Sequence, residues 1–287
     1  MSRCAITGAT GLVGGAIARC LEAHGWDVLR LVRHAHGRAG EMPFDLGKPL
    51  APGALEGADA LVHCAYDWGA RRGPGVDAVN IQGSLSLLET ACAAGIRKLV
   101  FISTISAYPG CPSAYGQGKL VVEDFVRGKG GVVIRPGLVC GDPARGMFGS
   151  LHRMARLPIL PVFDGGRQPL CLIHVDDLAS LVETVLRPEM VAPAGPITAA
   201  FPNPVTFRDL LERLARAQGH RLILVPVPAR LALAGLRMLE ALSIRLRFSS
   251  DSLISLLDSS AMVDLSAPRS LGVALRDCGR EFDIPAR

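Results

Sequence analysis

The chain has 287 residues and a mass of 30.3 kDa, enough for one large α/β domain or for a sheet domain with a smaller second lobe. Hydrophobic residues make up 49% and charged residues 20%, and the 32 Gly and 20 Pro follow no period, which excludes a disordered or collagen-like chain. The net charge of +5 comes without any run of like charges and with 5% aromatic residues, so the footprint of a nucleic-acid binder is missing.

Short apolar runs alternate with helical patterns through the first 140 residues. Arg3 to Thr7 reads as a strand and leads into a helix reaching about His24, after which Val28 to Val32 reads as a second strand. Ala60 to Cys64 is followed by a helix around Asp77 to Ala94, Leu99 to Ser103 by a helix from about Ser113 to Arg127, and Val132 to Arg135 closes the series. Parallel strands need crossover connections and these helices supply them, so the expected fold is α/β, a doubly wound parallel sheet. Ligands of such sheets bind beyond the carboxyl ends of the strands. After Gly141 the text is Pro-rich (Leu157-Pro158-Ile159-Leu160-Pro161), then returns to a strand and helix over Leu170 to Leu186 and ends in helical stretches broken by Pro.

No window offers 18 uncharged apolar residues. Ala229 to Leu246 comes nearest, but Arg230, Arg237, Glu240 and Arg245 make it an amphipathic helix, and no membrane partner is expected. The apolar run after Met1-Ser2-Arg3 meets Gly8 too early for a signal peptide. Of the eight Cys, Cys4, Cys64, Cys140 and Cys171 sit in strand-like apolar runs and no CxxC occurs, which fits the buried thiols of a cytoplasmic protein. The seven His lack HExxH spacing, so no metal site is expected.

The segment Gly8-Ala9-Thr10-Gly11-Leu12-Val13-Gly14 follows a strand and opens a helix with GxxGxxG spacing. Glycines there allow a tight turn and a close approach of backbone amides to a pyrophosphate, whose charge the helix N-terminus stabilises. At the end of the second strand, where NAD-binding sheets usually carry an acid for the ribose hydroxyls, this chain has Arg33, with His34, His36 and Arg38 beyond it. That basic field suits a 2′-phosphate, so NADP is the preferred cofactor and NAD the other. The alternative is that Arg33 is an ordinary solvated strand-end residue.

The glycine segment, Asn80, and Tyr115-Gly116-Gln117-Gly118-Lys119 together resemble the extended short-chain dehydrogenase/reductases, in particular the NAD-dependent epimerase/dehydratase group. The resemblance runs from about Arg3 to Leu186 and includes Phe44-Asp45-Leu46, Asp59 to Ala65, Arg135 to Gly141 and His174 to Ala179. It implies a Rossmann-like NAD(P)-binding domain from residues 1–145 with 168–190, and a C-terminal substrate-binding lobe from 146–167 with 191–287. It further implies that Asp45 and Leu46 lie along the adenine, that Ala65 and Tyr66 line the cofactor groove, that Pro136 to Val139 meet the nicotinamide, and that Asn80 belongs to the cofactor site. Asp176 and Asp177 read as caps of a following helix, and His174 as structural.

Tyr115 and Lys119 stand four apart, on one face of a helix. A phenol with a pKa near about 10 needs a neighbouring cation to act as a base at neutral pH, and Lys119 supplies it. The resemblance adds that Lys119 holds the nicotinamide ribose hydroxyls. Charge develops on the substrate oxygen as a hydride moves, and Thr104, with Ser103 and Ser106 beside it, is the expected donor there. Ten residues separate Thr104 from Tyr115, fewer than in related sugar-nucleotide epimerases, which speaks against a nucleotide-sugar substrate. Cys140 replaces a Tyr of many relatives and is expected to soften the wall near the nicotinamide.

The expected activity is hydride transfer between NAD(P) and a carbonyl or secondary alcohol of a small or sugar-like substrate, with Thr104, Tyr115 and Lys119 catalytic. An epimerase or dehydratase that recycles its cofactor internally would use the same residues, and a dinucleotide-binding sensor without turnover is the rival from another class. The resemblance also implies a homodimer across the helices near 77–94 and 113–127.

Overall fold

The structure is a computed structural model that describes residues 2–68, 78–142, 144–241, 250–257 and 271–278. The expected helix start at Asp77 and the end of the Ala229 to Leu246 stretch lie outside the described residues. The first half runs β1 (Arg3–Thr7), α1 (Leu12–Ala23), β2 (Asp27–Val32), β3 (Glu41–Pro43), β4 (Ala60–His63), α2 (Gly83–Ala93), β5 (Lys98–Ile102), α3 (Ala114–Gly128) and β6 (Val132–Pro136). It continues through β7 (Leu138–Cys140), α4 (Gly146–Met154), β8 (Ile159–Phe163), β9 (Pro169–Leu170), β10 (Leu172–His174) and α5 (Val175–Leu186). Last come β11 (Ile197–Ala199), β12 (Val205–Thr206), α6 (Phe207–Ala217), β13 (Ile223–Val227), α7 (Ala229–Ala241) and α8 (Ser250–Leu257).

Seven strands form one parallel sheet in the order β11-β6-β5-β4-β1-β2-β3. This is the expected Rossmann-like α/β fold. Its strands are apolar almost throughout because both faces are covered and successive side chains point to opposite sides. Ile6, Val62, Val100 and Ile134 pack with Ile17, Leu21, Leu178 and Leu181 of α1 and α5. Leu29, Leu61, Phe101 and Val133 pack on the other face with Leu88, Val122 and Val126 of α2 and α3.

A third core gathers Phe148, Leu151, Leu160, Val162, Phe207 and Leu210 with Cys140 and Leu170 from the segments expected to belong to the cofactor domain. The Pro-rich text at 157–161 enters β8, which among the described residues pairs only with β13; a two-stranded sheet tolerates Pro161 because each strand is an edge. β11 lies beyond residue 190, in the stretch expected to form the lobe, yet it pairs with β6 and extends the main sheet. The segment 271–278 packs on the main-sheet core through Leu271, Val273 and Leu275 and is tied to α5 by Arg276, whose backbone N and Nε donate to the buried Asp177 carboxylate at 2.6 and 2.8 Å. His174 is the residue that caps α5, its ring accepting from Asp176 N at 3.2 Å, while Asp176 and Asp177 sit in the first turn. Among the described residues, no helix is long and apolar enough to cross a membrane, and no cluster of His, Cys, Asp and Glu has the makings of a metal site.

Candidate active site

The chain order reverses between β1 and β4, which are adjacent in the sheet, and a cavity of about 640 Å³ opens beyond their carboxyl ends. Gly8 leaves β1 with φ +67°, a left-handed value that favours glycine, and the Gly11 N–H returns to Gly8 O at 2.9 Å. A Cβ on Gly14 would collide with Gly8 O, so glycine at 14 lets α1 press against the turn. The first turn of α1 has no acidic residue, and no side chain caps it. Gly8, Thr10, Gly11, Leu12, Val13 and Gly14 line the cavity around this helix start, an arrangement that fits the pyrophosphate of a dinucleotide.

Further along, the cavity is lined by Arg33, Asp45, Leu46, Ala65, Tyr66, Pro136 and Val139, each a residue the sequence pointed to. Arg33 is exposed. The Asp45 carboxyl is held below its ordinary range, first by its hydrogen bond with Lys48, then by the charges of Lys48, Arg33 and His34.

Asn80 is placed differently from expectation. It is buried outside this cavity and clamps the loop after β4, accepting from Asp67 N at 2.7 Å and donating to Asp67 O at 3.1 Å. Its carbonyl ends a buried hydrogen-bond chain whose directions are fixed by counting protons. Thr7 Oγ1 accepts from Cys64 N and Ala65 N, so its own proton goes to His63 Nδ1 at 2.7 Å. Ser84 donates to Asn80 O, so His63 Nε2–H donates to Ser84 Oγ at 2.8 Å. Burial, helped by Lys119, pushes the His63 ring down to about 3, and the ring stays neutral. The cavity-lining backbone at Cys64 and Ala65 therefore hangs on Thr7. Cys140 also departs from expectation: its thiol is buried in the lobe core and donates to Ile173 O, while Leu138 and Val139 form the wall.

Thr104, Tyr115 and Lys119 all line the cavity. Ser113 caps α3 by accepting from Gly116 N at 3.1 Å. A Cβ at Gly116 would strike Ser106 O, so glycine there lets α3 lie against the Thr104–Ser106 turn. The Thr104 hydroxyl accepts from Ser106 N at 3.2 Å and keeps its proton for another acceptor. Lys119 is buried, donates to Ile102 O at 2.9 Å and lies 4.5 Å from the centre of the Phe101 ring. Burial lowers its ammonium to about 8, with the Cys64 thiol and the Glu123 carboxylate pulling the other way. Tyr115 meets Tyr66 edge-on with ring centres 5.0 Å apart, and Trp68 covers both.

Sequence reasoning missed Trp68, Met147, Leu151, Leu170 and Phe207, which also line the cavity. Met147 and Leu151 share one face of α4, while the others come from a loop after β4, from β9 and from α6, too far apart in sequence for a motif to join them.

A switch-point cavity, a glycine turn under a helix N-terminus and a Tyr–Lys pair on one helix face define a nucleotide-dependent enzyme on a Rossmann-like sheet. Residues 4–195 match the NAD dependent epimerase/dehydratase family, and the chain belongs to that family. It is an NAD(P)-dependent enzyme. It is 31% identical over 244 residues to the ceramide reductase of Caulobacter vibrioides, covering 81% of this chain and 76% of that one. It is 27% identical over 246 residues to an uncharacterized protein of Mycobacterium tuberculosis, spanning 84% of this chain but 26% of that longer one. The crystal structure of gox2253 superposes with a TM-score of 0.74 at 22% identity, over 98% of this chain and 96% of that one.

Proposed function

We propose that the protein transfers a hydride between a nicotinamide cofactor and a carbonyl or secondary alcohol of a small or sugar-like substrate. The observation that carries this reading is the presence of Thr104, Tyr115 and Lys119 in the cavity that the glycine turn opens onto. A nicotinamide cofactor held there would supply the hydride donor or acceptor. In the reducing direction Tyr115 delivers a proton to the substrate oxygen and the Lys119 cation steadies the phenolate left behind. Thr104 donates a hydrogen bond to that oxygen as its charge grows. Lys119 spends one of its three donors on Ile102 O, leaving donors for the nicotinamide ribose.

Gly8, Thr10, Gly11, Leu12, Val13 and Gly14 hold the pyrophosphate, Asp45 and Leu46 the adenine, and Ala65, Tyr66, Pro136 and Val139 the nicotinamide side. NADP is preferred over NAD, supported by the position of Arg33 on the cavity and by Lys48 engaging the nearby Asp45. The main sheet carries the cofactor, and the segments 146–167 and 191–287, apart from β11, supply the substrate side through Met147, Leu151 and Phe207. The burial of Cys4, Cys111 and Cys278 as thiols supports a cytoplasmic setting, and the exposed Val121 on α3 supports a homodimer across α2 and α3.

Tyr115→Phe tests the reading. Turnover is expected to fall at least about a hundredfold with cofactor affinity unchanged; near-normal turnover would remove Tyr115 from the mechanism.

A further inference from the structure

The cavity is longer than the cofactor residues account for. Beyond Thr104 and Tyr115 its wall is formed by Leu138, Leu151, Leu170, Cys171 and Phe207, and it reaches solvent beside Met147 and Trp68. Leu151, Leu170 and Phe207 belong to the apolar core of the lobe, so the floor of this arm is the surface of that core. Among the described residues, charged lining is confined to Arg33 and Asp45 at the adenine end, Asp67 beside Tyr66, Lys119 in the centre and the exposed Arg145.

A nucleotide sugar brings a pyrophosphate and a ring of hydroxyls, each needing a partner once water leaves. Among the described residues, this arm offers the pyrophosphate the guanidinium of Arg145 and offers the hydroxyls chiefly carbon. An aliphatic chain asks for no polar partners and gains by displacing water from the same wall.

We infer that the substrate carries its reacting carbonyl or secondary alcohol on an apolar chain, which lies along Leu138, Leu151, Leu170 and Phe207 and leaves past Met147. This rests on the reading of Thr104 and Tyr115 as the groups at the reacting oxygen, and it names the class of substrate that reading leaves open.

The test is a homologous series from butan-2-one to decan-2-one, with UDP-glucose as comparator. Binding to the cofactor-loaded enzyme is followed by calorimetry, and turnover by oxidation of NADPH or NADH. Affinity is expected to rise about two- to fourfold per methylene along the series, and the longest ketones to bind more tightly than UDP-glucose. A series flat in chain length, or UDP-glucose bound more tightly than decan-2-one, would overturn the inference. A rising series in binding without hydride transfer from either cofactor would leave the apolar arm standing and remove the reading of Tyr115 and Thr104, so the two failures are separate.

Discussion

Glu123 on α3 and Arg135 on β6 form a two-pronged ion pair, with Arg135 Nε 3.0 and 3.1 Å from the two carboxylate oxygens and Nη2 2.5 Å from the second. Glu123 is almost fully buried, also accepts the Ser103 hydroxyl, and stands one helical turn beyond Lys119. The pair thus fastens the helix that carries Tyr115 and Lys119 to the sheet and keeps a negative charge near the buried ammonium.

Glu123→Ala leaves the Arg135 guanidinium with little water and no carboxylate. Breaking one side of such a pair costs about 3–5 kcal/mol. Urea denaturation of the variant is expected to show a loss of that size, and Glu123→Ala with Arg135→Met to recover part of it. Equal stability of wild type and single variant would mean the pair holds nothing in place.

The buried Lys119 makes stability depend on pH in a definite direction. Its ordinary value of 10.5 applies to the unfolded chain and its folded value is about 8, so between these the unfolded chain holds more protons. Stability therefore rises with pH across that window. Relative to Lys119→Met, the wild type is expected to gain on the order of 3 kcal/mol between pH 8 and 10.5, read from urea midpoints at several pH values. Turnover is expected to fall over the same rise, as the cation that steadies the Tyr115 phenolate is lost.

His63 acts at the other end of the scale. Its ring titrates at 6.5 ordinarily and at about 3 when folded, so below 6.5 only the unfolded chain takes up the proton. Stability present above pH 6.5 is then lost as pH falls towards 3, by up to about 5 kcal/mol. A His63→Gln variant is expected to lack this slope between pH 6.5 and 4; an unchanged acid limb would assign the dependence to other groups.

The proposed preference for NADP(H) places a guanidinium near the 2′-phosphate. A charge-assisted hydrogen bond contributes about 1.5–3 kcal/mol, or roughly ten- to a hundredfold in affinity. Arg33→Ala is expected to weaken NADP(H) by that factor and to leave NAD(H) nearly unchanged, measured by calorimetry at one salt concentration. Tighter binding of NAD(H) than NADP(H) by the wild type would reverse the assignment.

The sequence alone determined the strand and helix rhythm up to β6, the turn at Gly8, Gly11 and Gly14, and the face shared by Tyr115 and Lys119. Each of these is a local regularity: a short continuous apolar run, a helical spacing of four, or a turn whose geometry requires glycine, and neighbouring residues suffice to write it. Asn80 and Cys140 were legible as residues but not in orientation. One position along β7 decides whether a side chain meets the cavity, as Val139 does, or the lobe core, as Cys140 does. The short strands β3 and β11 left no run long enough to stand out, and they exist because the neighbouring edges of the sheet were there to pair with. The apolar arm was decided only by tertiary structure. Met147 and Leu151 come from α4, Leu170 from β9 and Phe207 from α6, and an apolar side chain that lines a cavity is written in sequence just as one that fills a core. Where the chain folds back decides which it becomes.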